Sequence, residues 1–170
     1  MSRLRRIAQT NRVFFVTTSV SRMVPFLRPP ETDLVLEVLD TVRSSLNFQL
    51  LRYVVMPDHA HLLFATQMDF LSHIMHQWKF KTGYAVRRFR HHSGALWQPR
   101  YFDFVCRHTS DVSNKLSHIH ENPVVANLAQ FLEKGKWSSA AFYIGIGGSP
   151  IRPDLVDLSG DPDQLLWPVP

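Results

Sequence analysis

The chain has 170 residues, 45% of them hydrophobic and 19% charged, which is enough apolar material for one self-sufficient globular domain. Its 19 Lys+Arg against 14 Asp+Glu give a net charge of +5, a balance that points to a polyanionic partner. A single cysteine, Cys106, excludes an intrachain disulfide framework, and no signal-peptide h-region or membrane-length apolar run is visible, so a cytoplasmic protein without membrane contact is expected.

In chain order, Arg12 to Val20 is β-branched and aromatic and predicts a strand. Residues 21–31, with Pro25, Pro29 and Pro30, predict a loop, and Thr32 a helix N-cap with Asp33 in the first turn. Val35, Val38, Leu39, Val42 and Leu46 follow at helical spacing, so an amphipathic helix is expected to about Ser45. Phe48 to Val55 and His59 to Thr66 read as two strands joined by the tight turn Met56-Pro57-Asp58. Leu71, Ile74, Met75 and Trp78 mark the apolar face of a second helix, in which Gly83 is a candidate break.

The loop Leu96-Trp97-Gln98-Pro99-Arg100 then feeds a strand ending near Cys106. A third helix is capped by Thr109 or Ser110, buries Val112, Leu116 and Ile119, and is expected to stop at Pro123. Another apolar segment and Trp137-Ser138-Ser139 occupy residues 124–144. Residues 1–148 are read as one domain and 149–170 as a C-terminal tail. The order strand, helix, strand, strand, helix, strand, helix predicts an α+β fold, an antiparallel sheet with helices on one face.

Three clusters bear on chemistry. His59 and His61 are two apart in a strand and project to one face, away from Ala60, Leu62 and Phe64. Such a pair is either two solvated imidazoles or half of a divalent-metal site. The second helix continues as Lys79, Lys81, Arg87, Arg88 and Arg90, then His91 and His92, interleaved with Trp78, Phe80, Tyr84 and Phe89. A solvated helix face backed by core aromatics and a nucleic-acid surface both fit that run. On the third helix, His118 and Asn122 are four apart and share a face with Lys115 nearby. Asn122 is a candidate oxygen ligand and equally a helix C-cap before Pro123. A hard ion with mixed nitrogen and oxygen ligands suits Mg²⁺ or Mn²⁺ in phosphoryl transfer.

Four stretches together carry a resemblance: Tyr53-Val54-Val55-Met56-Pro57-Asp58-His59-Ala60-His61-Leu62-Leu63, Leu96-Trp97-Gln98-Pro99-Arg100-Tyr101-Phe102-Asp103, His118-Ile119-His120-Glu121-Asn122-Pro123-Val124, and Lys136-Trp137-Ser138-Ser139. In order and spacing they resemble the REP-associated tyrosine transposases, within the single-tyrosine HUH transposases. The resemblance spans about residues 11 to 143. It implies a ferredoxin-like or RRM-like fold and metal-dependent cleavage of single-stranded or hairpin DNA, such as repeated palindromes, by a protein associated with the nucleoid. It also implies that His59 and His61 bind the metal, with Asn122 as third ligand. In this family a tyrosine attacks the DNA, leaving a 5′-phosphotyrosine and a free 3′-OH, and strand transfer follows without ATP.

The family's tyrosine position falls on His118 here. Histidine can act as nucleophile or general base, so a covalent adduct, a water-using nicking nuclease and a non-cleaving hairpin-binding protein all stay open. Expected DNA contacts are Lys79, Lys81, Arg87, Arg88, Arg90, Trp97, Gln98 and Arg100. A monomer and a homodimer are both compatible with the sequence.

Overall fold

The computed structural model describes residues 11–91, 93–125, 136–145 and 148–156, the side chains of Asn11, His120 and residues 122–125 excepted. The expected apolar stretch is therefore outside the described residues over 126–135, as are His92, the N-terminal arginines and residues 157–170 of the tail.

Strands β1 (Asn11–Ser19), β2 (Gln49–Val55), β3 (His59–Gln67) and β4 (Phe102–Cys106) form one antiparallel sheet in the order β2-β3-β1-β4. Helices α1 (Pro29–Leu46) and α2 (Leu71–Arg90) make the two crossovers, and α3 (Thr109–Val125) follows the last strand. This is the ferredoxin-like α+β arrangement. Among the described residues no helix is long and apolar enough to cross a membrane.

Alternation along the central strands builds two cores. Phe14 and Val16 of β1 join Ala60, Leu62 and Phe64 of β3 beneath α1 (Val35, Leu36, Leu39, Val42) and α2 (Ile74, Met75, Trp78, Val86). Val13 and Phe15 join Leu63 and Ala65 on the other side, under Val112, Leu116 and Ile119 of α3. Helices on one face is thus true of α1 and α2, and α3 covers the reverse face. The reason is that both faces of these strands are apolar, so each needs a cover. Burying Val112 and Ile119 contributes roughly 1.5–3 kcal/mol apiece.

Local departures from expectation have physical causes. Helix α1 begins at Pro29-Pro30 rather than after Thr32, because prolines suit a first turn whose N–H groups have no helical partner. The Glu31 carboxylate accepts the Arg28 N–H at 2.8 Å in that turn. Helix α2 runs unbroken through Gly83, a buried position facing Leu96, since tertiary packing outweighs the weak helix preference of one glycine. Helix α3 continues two residues past Pro123, which gives up one helical N–H bond and has only the short end of the helix beyond it. At its start, Asp111 accepts the N–H groups of Arg107 and His108 at 2.8 and 3.0 Å.

Trp137-Ser138-Ser139 lies along the outer edge of β2, with Val55 N–H donating to the Trp137 carbonyl and Ser139 N–H to that of Tyr53. A short helix, α4 (Ala140–Tyr143), follows. The first part of the expected tail packs on the body. Ile151 is buried in the α1–α2 core, and Asp154 accepts from Arg43 at 2.7 Å and from the Leu50 N–H at 3.0 Å.

Candidate active site

The β2–β3 turn fixes where the two histidines emerge. Met56 N–H donates to the His59 carbonyl at 2.7 Å, and Val20 N–H donates to that of Asp58 at 2.7 Å, so the end of β1 buttresses the turn. His59 pairs with Ser19 and His61 with Thr17. Both histidines lie on the α3 side of the sheet, as the two-residue spacing predicts.

Each imidazole is held at Nδ1. The Asp58 carboxylate lies 2.7 Å from His59 Nδ1. A carboxylate only accepts, so His59 donates from Nδ1, and the neutral tautomer with this bond has its lone pair on Nε2. Thr17 Oγ1 lies 2.8 Å from His61 Nδ1, which selects the same tautomer when the hydroxyl accepts. The two ring centroids are 4.7 Å apart. Burial holds the His61 pKa down to about 3, helped by the neighbouring His59 and His118. His61 therefore stays neutral in the metal-free protein at any physiological pH.

Helix α3 brings His118 to the same place. Its ring is 5.4 Å from His61 and 5.7 Å edge-on from Phe15, which itself stacks on His61 at 5.4 Å. His118 is exposed and His59 half-buried, whereas His61 is 6% exposed. Asn122 lies one turn further along α3, and its side chain is outside the described residues. Among the described residues no three His, Cys, Asp or Glu side chains form a complete metal cage. The pair's chemistry nevertheless suits a divalent ion: a carboxylate at Nδ1, as Asp58 is to His59, is a usual outer support of a histidine–metal bond made at Nε2.

The expected DNA contacts lie elsewhere and are not equivalent. Lys81, Arg88 and Arg100 are exposed, and Arg87 is half-buried with Nε donating to the Gly83 carbonyl. Lys79 donates to the carbonyls of Gln98, Pro99 and Arg100, tying the loop to α2. Two of these side chains also hold the fold together. Trp97 is 4% exposed, packed on Trp78 with its N–H on Thr82 Oγ1 at 2.7 Å, so it presents no ring to a base. Arg90 is a clamp: it grips Glu31 through two nitrogens and donates to the carbonyls of Pro25 and Phe26. Burial opposes ionisation of Glu31, but the hydrogen bonds from Arg90 and the Arg28 amide, with Arg90's charge, hold its carboxyl below the usual range.

Helix α2 and the histidines are on opposite faces of the sheet. The loop after α2 reaches the histidine end of the sheet, where Gln98 N–H donates to the Ser19 carbonyl at 2.9 Å and Ser19 pairs with His59. Thr17 and Asp58, which orient the imidazoles, were not singled out by the sequence. Asp58 is signalled by adjacency, but Thr17 becomes a partner only through strand register.

The site is thus a His-x-His pair on a ferredoxin-like sheet with a histidine-bearing helix packed against it. Residues 12–122 match the IS200-like transposase family, and the chain belongs to it. Among individual proteins, the chain is similar to the REP-associated tyrosine transposase of Escherichia coli (strain K12), 25% identical over 129 residues and 73% of each chain. It shares its fold with the solved structure of a REP-associated tyrosine transposase bound to a REP hairpin, at a TM-score of 0.70, 21% identity and 96% coverage of both chains.

Proposed function

We propose that this protein binds hairpin DNA with single-stranded flanks and cleaves it at the histidine cluster, with His118 standing where the family's tyrosine attacks. The observation that carries this is the convergence of His59, His61 and His118 from two separate elements, with ring centroids 4.7 and 5.4 Å apart. His59 and His61, with Asn122, would hold Mg²⁺ or Mn²⁺, which supplies Lewis acidity at the scissile phosphate. His118, exposed beside the pair, serves as nucleophile or as general base toward water. Asp58 and Thr17 hold the two imidazoles in place through Nδ1. Lys81, Arg87, Arg88 and Arg100 contribute positive charge to the DNA path over α2 and the following loop.

A second reading, a hairpin-holding protein that does not cleave, is favoured by the histidine at position 118, since a phenol and an imidazole are different reagents. One experiment separates them. End-labelled hairpin DNA with unpaired flanks is incubated with Mg²⁺ or Mn²⁺ and resolved under denaturing conditions, using wild type, His118→Ala and His118→Tyr. An adduct that survives denaturation and vanishes in His118→Ala makes His118 the nucleophile. Nicks without adduct make it a general base. Binding with no cleavage, restored only by His118→Tyr, selects the second reading. No DNA binding at moderate salt would sink both. Phosphate contacts also predict a log–log salt slope of about −0.7 per neutralised phosphate on single strands, which Arg88→Ala should reduce by about that amount.

A further inference from the structure

Among the described residues strand β4 is the sheet's edge, and it displays Phe102 and Phe104, 58% and 37% exposed. Phe102 pairs with Thr17 and Phe104 with Phe15, and residues directly opposite on antiparallel strands share a face. Both rings therefore lie on the α3 face, the face of the histidines. Lys115 Nζ sits 4.7 Å from the Phe15 ring centre and 4.8 Å from that of Phe104. Phe15 in turn touches His61 and His118. The result is one contiguous strip: two exposed rings, an ammonium, then the histidine cluster.

We infer that Phe102 and Phe104 form a base-stacking platform that holds unpaired nucleotides flanking the scissile phosphate, with Lys115 placed for a backbone phosphate. This rests on the DNA-cleaving reading above. Burial alone does not account for two large rings on a solvent-facing edge strand. Every base has a π-face that an exposed ring can meet, so such a platform takes single strands without needing a particular sequence. The cation between the rings and the cluster matches the alternation of bases and phosphates along a strand. Asp103, between the two rings in sequence, points to the other face of the sheet and leaves the strip free of its carboxylate. The competing occupant of an edge strand is a second copy of this chain.

The test uses a hairpin carrying short unpaired tails with 2-aminopurine next to the stem, and the same hairpin blunt. Affinity is measured for wild type, Phe102→Ala, Phe104→Ala and Phe102→Tyr, with thermal midpoints as a check on folding. The expected result is a tail-dependent affinity that falls about 5- to 100-fold in each alanine variant and is kept by Phe102→Tyr. Blunt-hairpin affinity should stay unchanged, and quenching of 2-aminopurine should be lost with the rings. Wild type and alanine variants binding tailed DNA alike would overturn the platform while leaving hairpin binding intact. Wild type ignoring both DNAs would overturn the platform together with the reading beneath it. A wild-type dimer that becomes monomeric in the alanine variants, with unchanged tail affinity, would assign the strand to a second copy instead.

Discussion

Replacing Arg90 with alanine separates a structural cation from a DNA-binding one. The guanidinium donates to both oxygens of Glu31 and to the carbonyls of Pro25 and Phe26, so one side chain ties the end of α2 to the loop before α1. Glu31 is 4% exposed. Without Arg90 its carboxylate keeps the Arg28 amide and the weaker pull of the Arg28 charge but loses its main counter-charge. Removing one partner of a buried ion pair typically costs 3–5 kcal/mol. Because both ends of this pair retain slight solvent contact, about 3 kcal/mol is expected at pH 7. For a chain of this size that lowers Tm by about 6–12 °C, readable by calorimetry or circular dichroism.

The pH dependence carries its own sign. Glu31's folded pKa is depressed, so its stabilising effect is present above the unfolded carboxyl pKa and is lost as pH falls through the folded value. The gap between wild type and Arg90→Ala should therefore narrow in acid. Adding Glu31→Gln to Arg90→Ala should recover part of the loss at neutral pH, since no unpaired charge remains buried. An Arg90→Ala protein with wild-type Tm and a reduced DNA salt slope would refute the reasoning and return Arg90 to the DNA surface.

Other outcomes follow from the same contacts. Trp97→Phe removes the N–H that Thr82 accepts and leaves a gap beside Trp78, so urea unfolding should report a loss of about 2 kcal/mol. Burial, reinforced by Asp111 and only partly opposed by Lys115, pushes the Cys106 thiol up to about 12, so a thiol reagent should label it only on unfolding. Mn²⁺ at a hundredfold its Kd should stabilise the native protein by about 2.7 kcal/mol, visible as a raised Tm. That rise should disappear in His59→Ala combined with His61→Ala, and its persistence there would remove the pair from the metal site.

Strand and helix identities were legible because period-2 and period-3.6 patterns are local. His59 and His61 sharing a face follows from spacing alone. Which residue meets His61 does not, because Thr17 lies forty-four positions away and is matched to it by register. The same limit governs the basic stretch of α2. Sequence gives Arg88 and Arg90 the same charge, but only the fold decides that one faces water and the other Glu31. Trp97 is offered as a DNA contact by the Trp-Gln stretch of the resemblance alone, and only the fold shows its ring packed on Trp78 in a loop pinned to the end of β1 through Ser21 and Gln98. The second cover, α3, escaped because continuous apolar runs in β1 and β3 do not announce how many faces are buried.

The strand order β2-β3-β1-β4 puts both β3, with the histidine pair, and β1, with Thr17, in the middle of the sheet. Amides bonded on both flanks exchange with deuterium only through the rarest openings, those that approach complete unfolding. His61 thus belongs to the slowest-exchanging part of the molecule, and the edge β4 to a faster one. His118 rides on α3, which meets the sheet through Val112, Leu116 and Ile119, through a hydrogen bond from Arg52 to the Leu116 carbonyl at 2.8 Å, and through Lys115 over the Phe15 ring. Amide exchange should therefore find the cluster joining two parts with different clocks: a slow anchor in mid-sheet and a helix-borne histidine that opens sooner.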